Sequence, residues 1–141
     1  MSTWIFPTTV DKNKPYRYEL DRAFDTLKTL YWGQSRLKSI AVGDTVYIYA
    51  SYPVQTLCWR CTVDAVNVEP QNVDIDDSEF EHGCAPPDDA YVKLTATRKF
   101  SGTERFKLSY AEMQEHGLKS RMQAPFRPNA QLLAYINSID S

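Results

Sequence analysis

The chain has 141 residues, of which 43% are hydrophobic and 24% charged, and its formal net charge is −2. This length fits one domain spanning 1–141, and the composition excludes a disordered or fibrous protein. No apolar run approaches the roughly 20 residues that cross a bilayer. Because residues 1–4 also lack the character of a signal peptide, we expect a cytoplasmic protein.

The first elements in chain order are a strand, a helix and a loop. Thr3–Phe6 reads as a short strand that ends at Pro7. Over 19–30, apolar residues recur at helical spacing and predict an amphipathic helix with one buried stripe. Residues 31–35, which contain Trp32, follow as a predicted loop.

A pair of strands comes next and predicts a hairpin. Residues 45–51 alternate, so one face carries Val46, Ile48 and Ala50 and the other carries Tyr47, Tyr49 and Ser51. Residues 55–68 form the second strand after a turn that contains Pro53. If Val46 and Ile48 face the core, Tyr49 faces the rim of the sheet.

Residues 69–89 form an acidic segment with eight carboxylates and no Lys or Arg. A loop of this length is usually either functional or disordered, and we expect a mobile, solvated insertion. Without these eight charges the rest of the domain is about +6, which permits a phosphate-binding face.

The remaining elements complete an α+β chain. We predict strands over 90–97 and 104–108, a helix capped by Ser109 and Glu112 that stops at His116-Gly117, and a basic loop over 118–127. A final helix follows Pro128, with Leu132, Leu133 and Ile136 on one face. The fold class is thus α+β, with a curved, mainly antiparallel sheet that closes into a β-barrel flanked by short helices.

The three cysteines give little support for a metal site or a disulfide framework. Cys58 and Cys61 form a C-x-x-C, but residues three apart on a strand point to opposite faces. Only His82 and Cys84 remain to complete a tetrahedral zinc site. We therefore expect structural thiols and no metal or cofactor.

Several features together resemble a known family. They are the opening Trp4-Ile-Phe-Pro7, the helical Ala23-Phe24, the Trp32 loop, Ile40-x-x-Gly43-Asp44-x-Val46-Tyr-Ile-Tyr49, and Leu108-Ser-x-x-Glu112-Met-x-x-x-Gly117-Leu118-Lys119. In order and spacing they resemble an EVE domain of the PUA-like superfamily, whose relatives are the YTH and ASCH domains. The resemblance implies a compact β-barrel with a pocket at its rim that holds a modified nucleobase.

Such a pocket needs aromatic walls and polar groups, because a base that leaves the duplex gains about 1–3 kcal/mol by stacking on a ring. Trp32 is the leading candidate wall, since function often sits on loops. Core packing is the competing interpretation for each aromatic residue, and the favoured one for Trp4 and Trp59. The complete candidate set is Trp32, Gln34, Ser35, Tyr49, Ser51, Trp4 and Trp59.

Basic residues could hold the phosphate backbone outside that pocket, although ordinary solvated charge is the alternative for each. Three surround the start of the first helix, and six follow the later strand and the basic loop. These candidates are Lys12, Lys14, Arg17, Arg98, Lys99, Arg105, Lys119, Arg121 and Arg127.

The resulting expectation is a non-catalytic reader of a modified base, chiefly modified cytosine such as 5-methylcytosine in DNA. It would serve as the specificity module of a restriction system, with a nuclease on a fused or associated partner, and it would not involve a membrane. Two alternatives stay open: a YTH/PUA-type binder of modified RNA, and an ASCH-like enzyme that acts on modified nucleosides.

Overall fold

A computed structural model describes all residues, Met1–Ser141, as seven strands and four helices. The strands are β1 (Thr3–Thr8), β2 (Arg17–Tyr18), β3 (Thr29–Gly33), β4 (Thr45–Ala50), β5 (Thr56–Val68), β6 (Glu81–His82) and β7 (Tyr91–Lys99). The helices are α1 (Leu20–Leu27), α2 (Thr103–Lys107), α3 (Tyr110–Gln114) and α4 (Ala130–Asp140). Two 3₁₀ turns, Pro70–Asn72 and Ser78–Phe80, lie in the acidic segment.

Five strands form one curved sheet in the order β1-β4-β5-β7-β3, and β2 pairs with β6. The β4–β5 hairpin is antiparallel, as predicted, whereas β1 joins β4 in parallel. Shifts of register along β4–β5 and β5–β7 mark bulges, which increase strand twist and bend the sheet. The predicted α+β class and curved, mainly antiparallel sheet are confirmed, but the sheet stays open between its edge strands β1 and β3.

The sheet has a buried core on each side. Val46, Ile48 and Ala50 face one cluster, which includes Leu20, Ala23 and Phe24 of α1. Tyr47 and Tyr49 face a second cluster beneath the C-terminal helices, with Met113, Leu132 and Ile136. Tyr49 therefore lies in a second core and not at a rim, because α3 and α4 cover the face that the alternation left unassigned.

The first helix is shorter than predicted, and the segment after it is a strand. It ends at Leu27, and Lys28 turns the chain with a φ of 63°. Leu30 is then fully buried on β3, which pairs antiparallel with β7. Trp32 thus lies on an edge strand rather than on the predicted loop, because hydrogen bonding to β7 extends the backbone that follows the turn.

The C-terminal elements agree with prediction except in one place. Residues 104–108 are not a strand, since Thr103–Lys107 forms α2. Ser109 caps α3 by accepting a hydrogen bond from the Glu112 amide. Gly117, with a φ of 103°, turns the chain after the end of α3. The last helix begins with Asn129 as its cap, one residue after Pro128.

The acidic segment contacts the rest of the domain, and its mobility stays a prediction. Phe80 is only 1% exposed and packs in the first core cluster. Its carbonyl accepts a hydrogen bond from the Glu19 amide at the start of α1. A buried aromatic ring and a paired strand, β6, hold the segment against the domain, which brings some of its carboxylates close to β2 and β3.

None of the four helices combines the length and apolar character that crossing a membrane requires.

Candidate functional site

A cavity of about 490 Å³ lies where the sheet is open. Pro7 and Thr8 of β1 line one side, and Tyr31, Trp32 and Gly33 of β3 line another. The turn before β2 and the acidic segment supply the remaining walls. This volume falls in the range of about 300–1,000 Å³ that is usual for small-ligand sites.

Aromatic side chains form much of the wall. Trp32 lies parallel to Phe24 of the core with ring centroids 6.0 Å apart, and the Tyr18 ring meets it edge-on at 5.4 Å. Tyr16 and Tyr91 complete this side of the cavity. The indole is thus held in place by core contacts while it lines a hollow that a flat ring could enter.

The acidic segment closes the cavity through tyrosine–carboxylate hydrogen bonds. The Tyr18 hydroxyl donates to Asp77 at 2.7 Å, and the Tyr31 hydroxyl donates to Asp74 at 2.8 Å. Asp88 accepts from the Ser35 amide at 3.2 Å. A Cβ on Gly33 would stand only 2.6 Å from the Asp88 carboxylate, so the absence of a side chain there allows this close approach.

The cavity is electrostatically negative. Asp77, Glu81 and Asp88 line it, and no Lys or Arg does. Burial, followed by the charges of Glu81 and Asp77, raises the pKa of the Tyr16 phenol to about 12. Burial and the charge of Asp77 also raise the pKa of Glu81. The site therefore favours a neutral or cationic ligand that donates hydrogen bonds, and the Tyr16 phenol stays protonated at neutral pH.

Of the predicted pocket residues, Trp32 alone lines this cavity. Gln34 is buried and ties the end of β3 to β5: its amide nitrogen donates to the Asn67 side chain at 2.8 Å, and its oxygen accepts from the Asn67 amide at 2.7 Å. Ser35 is exposed and reaches the site only through its backbone amide and Asp88. Gln34 thus has a structural role, and Ser35 borders the site.

The other predicted pocket residues lie elsewhere, which corrects their assignment as walls. Trp4 is buried and donates from its indole to Asp44, and Trp59 is buried and donates to Asp21. Both indole N–H groups are satisfied inside the protein, as core tryptophans require. Tyr49 belongs to the second core, and Ser51 lines two smaller hollows beyond β1.

Three of the nine basic residues that were predicted to contact phosphate form ion pairs with carboxylates of the protein. Arg105 forms a bidentate pair with Asp21 at 2.9 and 3.0 Å. Lys99 pairs with Asp25 at 2.9 Å. Arg98 pairs with Glu104 and, at 2.8 Å, with Asp140. Arg98 and Lys99 link β7 to the helices, and Arg105 links α2 to α1, so the charges of all three are already paired within the protein.

The other six basic candidates keep their charge available. Arg127 stacks over the Trp4 ring at 4.8 Å and forms no ion pair. Arg17 is half-buried on β2, away from the acid-lined cavity. The remaining four residues are exposed and have no carboxylate partner: Lys12, Lys14, Lys119 and Arg121. Their contact with nucleic acid stays a prediction.

The residues that sequence reasoning missed are four tyrosines and carboxylates of the acidic segment. Tyr16, Tyr18, Tyr31 and Tyr91 line the cavity, as do Asp77 and Asp88. The signal for them was weak: Tyr16 and Tyr18 flank Arg17, and the acidic run contains one buried aromatic residue, Phe80. Neither pattern alone indicates that the two segments meet.

The cysteines differ from prediction in position. Cys58 and Cys61 both pack in the first core cluster, because the register shift opposite Ile48 and Tyr49 of β4 turns Cys58 to that side. Burial raises the pKa of the Cys58 thiol to about 11, so it stays protonated at neutral pH. No three His, Cys, Asp or Glu side chains come together in a geometry that could hold a metal ion.

Comparison with solved structures identifies the fold. No protein-family model matches the chain, and no curated protein matches its sequence. ASCH from Zymomonas mobilis superposes with a TM-score of 0.59 at 8% identity, over 97% of this chain and 94% of that one. Protein PSPTO5229 from Pseudomonas syringae gives 0.64 at 14% identity, over 99% and 100%. A Pseudomonas putida protein gives 0.62 at 16% identity, over 99% and 100%.

The chain therefore shares the overall fold of ASCH from Zymomonas mobilis and of the two Pseudomonas proteins, and its membership of the PUA-like superfamily stays a prediction. All three alignments span nearly the whole of both chains, so the likeness covers the complete domain and not a shared motif. The finer assignment to the EVE family stays a prediction.

Proposed function

We propose that this domain binds nucleic acid and takes one extruded base, a modified cytosine in DNA, into the cavity beside Trp32. The observation that carries the proposal is the aromatic, acid-lined cavity at the open edge of the sheet. Extrusion of a base costs a few kcal/mol, and stacking on one aromatic ring returns about 1–3 kcal/mol. Hydrogen bonds to the base edge supply the remainder and the identity.

The carboxylates suit an amino-bearing base. The exocyclic amino group of cytosine is a donor that Asp and Glu side chains accept. Asp77, near the middle of the acidic segment, and Asp88, near its end, both line the cavity. Pro86 and Pro87 offer an apolar surface for a methyl group at the C5 position. These groups are the features that support cytosine, in particular its methylated form.

In this role the domain would read a modification and perform no chemistry. It would act as the specificity module of a restriction or defence system, and cleavage would come from a fused or associated nuclease. Support for that setting comes from the resemblance to EVE domains. Detection of modification-dependent cleavage by a complex that contains this chain would test it.

A binding panel tests the ligand. DNA oligonucleotides with 5-methylcytosine should bind best, plain cytosine more weakly, and 5-carboxylcytosine weakest, by about tenfold or more against the methylated base, because a carboxylate in this cavity meets like charges. Titrations at one fixed salt concentration, with matched RNA strands beside DNA, measure the order. Equal affinity for all three bases would contradict the proposal.

Asp77→Asn sharpens that panel. The asparagine oxygen can still accept from Tyr18, so we expect the fold to persist while the penalty against 5-carboxylcytosine falls. Asp76→Asn is the matched control, since Asp76 is exposed and does not line the cavity. If the penalty against 5-carboxylcytosine falls in both variants, the cause is a general loss of surface charge and not a change in the cavity.

A second function is favoured by Glu81. The pKa of Glu81 is raised by burial and by the charge of Asp77, and both residues line one cavity. A carboxyl group with a raised pKa beside a second carboxylate is a common arrangement for acid–base catalysis. This would suit hydrolysis of a modified nucleoside, as in the ASCH-like alternative. Incubation with modified nucleosides and mass analysis should then show products that Glu81→Gln abolishes. If the nucleosides remain unaltered, the hydrolytic function is refuted and base binding alone remains.

A further inference from the structure

The cavity opens onto two further hollows that together form a groove. Pro7, Thr8 and Thr9 line both the acidic cavity and a second hollow of about 280 Å³. This hollow also touches Ser51 and Gln123, which it shares with a third hollow of about 370 Å³. The groove therefore runs from Trp32 across the end of β1 to the turn between β4 and β5.

Paired strands form the floor of the groove. β1 and β4 end side by side there, with Thr8 opposite Ala50, and the Ser51 amide donates to the Thr8 carbonyl at 3.0 Å. The third hollow rests on Tyr49 of the second core, with the Tyr110 ring 6.5 Å from it. A ligand in the groove would thus meet a surface fixed by strand pairing and core packing.

The charge changes along the groove. The cavity at one end has three carboxylates and no cation, whereas the second and third hollows have no carboxylate. Arg121 lines the third hollow, is exposed and forms no ion pair. A polyanion that places a neutral base in the acidic cavity can therefore lay its phosphates toward the cationic end.

An aromatic ring stands at that same end. Tyr52 lines the third hollow and is 64% exposed, although large aromatic side chains are usually buried. A ring beside an unpaired arginine in a groove is the arrangement that holds successive nucleotides of a single strand: bases stack on the ring and phosphates lie against the cation.

We propose that this groove binds the single-stranded segment that flanks the base held beside Trp32, with a neighbouring base on Tyr52 and a phosphate on Arg121. The inference rests on the proposed function and extends it from one base to a strand. It means that affinity for a polymer exceeds affinity for the free nucleoside, because the groove contributes contacts that the nucleoside cannot make.

The test compares two ligands on the same protein: the free modified nucleoside, and a short single-stranded oligonucleotide with that base at its centre. Tyr52→Ala should weaken oligonucleotide binding by about tenfold and leave nucleoside binding unchanged. Arg121→Ala should weaken oligonucleotide binding and reduce the salt dependence by about one phosphate contact. Both residues are exposed, so the variants should fold.

Phe106→Ala and Lys107→Ala are matched controls, since both residues are exposed on α2 and line none of the three hollows. Wild-type oligonucleotide affinity in the Tyr52 and Arg121 variants would overturn the groove, even if Trp32→Ala still abolished recognition of the base. Conversely, equal binding of modified and plain strands, still weakened by Tyr52→Ala, would retain the groove and remove the base-recognition proposal.

Discussion

Replacement of Trp32 by alanine is expected to remove the preference for modified over plain DNA and to weaken binding of the modified strand by roughly 10- to 100-fold. Stacking on one aromatic ring contributes about 1–3 kcal/mol per base, and Trp32 is the largest ring in the cavity. Fluorescence anisotropy with paired oligonucleotides, identical except for the base, measures both quantities.

The matched variants separate recognition from folding. Trp32 also packs against Phe24, so the alanine variant loses core contact and its thermal unfolding must be recorded beside the wild type. Trp32→Phe keeps a ring at the site and should retain part of the preference. Phe106→Ala, on an exposed ring outside the cavity, should bind like the wild type. A folded alanine variant with an undiminished preference would refute the assignment of Trp32 as the stacking surface.

The largest stability effect is expected for Asp44→Ala. Asp44 is only 3% exposed and accepts three hydrogen bonds: from the Ser2 amide at 2.9 Å, from the Trp4 indole at 3.0 Å and from the Ala41 amide at 3.0 Å. Alanine leaves these donors without their partner, which should lower the free energy of unfolding by about 3 kcal/mol. Denaturant unfolding measures the change.

Acidification should remove the contribution of the Asp44 carboxylate to the free energy of unfolding. Burial raises the pKa of Asp44, but the three donors and the nearby N-terminus outweigh it and leave the pKa below its ordinary value. The carboxylate therefore stabilises the fold above the unfolded pKa of about 3.9, and this is lost as the pH falls through the lower folded value. The gap between wild type and Asp44→Ala should narrow on acidification below about pH 4.

Asp25→Ala is the control, because this carboxylate is exposed and its pair with Lys99 should contribute less than about 1 kcal/mol. An Asp44→Ala variant no less stable than Asp25→Ala would contradict the structural role given to Asp44.

The strand pairing of the hairpin could be predicted, and the burial of its second face could not. Alternation over 45–51 assigns Tyr47 and Tyr49 to one face, which the structure confirms. It does not indicate that α3 and α4, much later in the chain, cover this face. The first-core prediction of Val46 and Ile48 succeeded because burial on that side needs no knowledge of distant segments.

The end of the first helix shows a second limit. Leu27, Leu30 and Tyr31 satisfy the helical period, while Leu30 and Trp32 satisfy the strand period. The turn at Lys28, with its positive φ, decides between them, and lysine carries no signal for that conformation. Trp32 was consequently identified as a site residue from the wrong local structure.

Charge along the sequence predicted neither the cavity nor the ion pairs. The acidic segment has the composition of a solvated loop, yet Tyr18 and Tyr31 bind its carboxylates from 59 and 43 residues away. Likewise, the charge of Arg105 is paired with that of Asp21 across 84 residues of sequence. Partner choice at such separations depends on the fold, which local composition does not encode.

The unclosed seam between β1 and β3 has a thermodynamic consequence. A ligand that fills it touches the first strand, the third strand and the acidic segment together, and the first and third strands do not pair with each other in the sheet. A bound ligand thus bridges the gap between β1 and β3, which strand pairing does not close. By linkage, a change that brings these three parts closer together raises the affinity for the ligand, and a change that separates them lowers it.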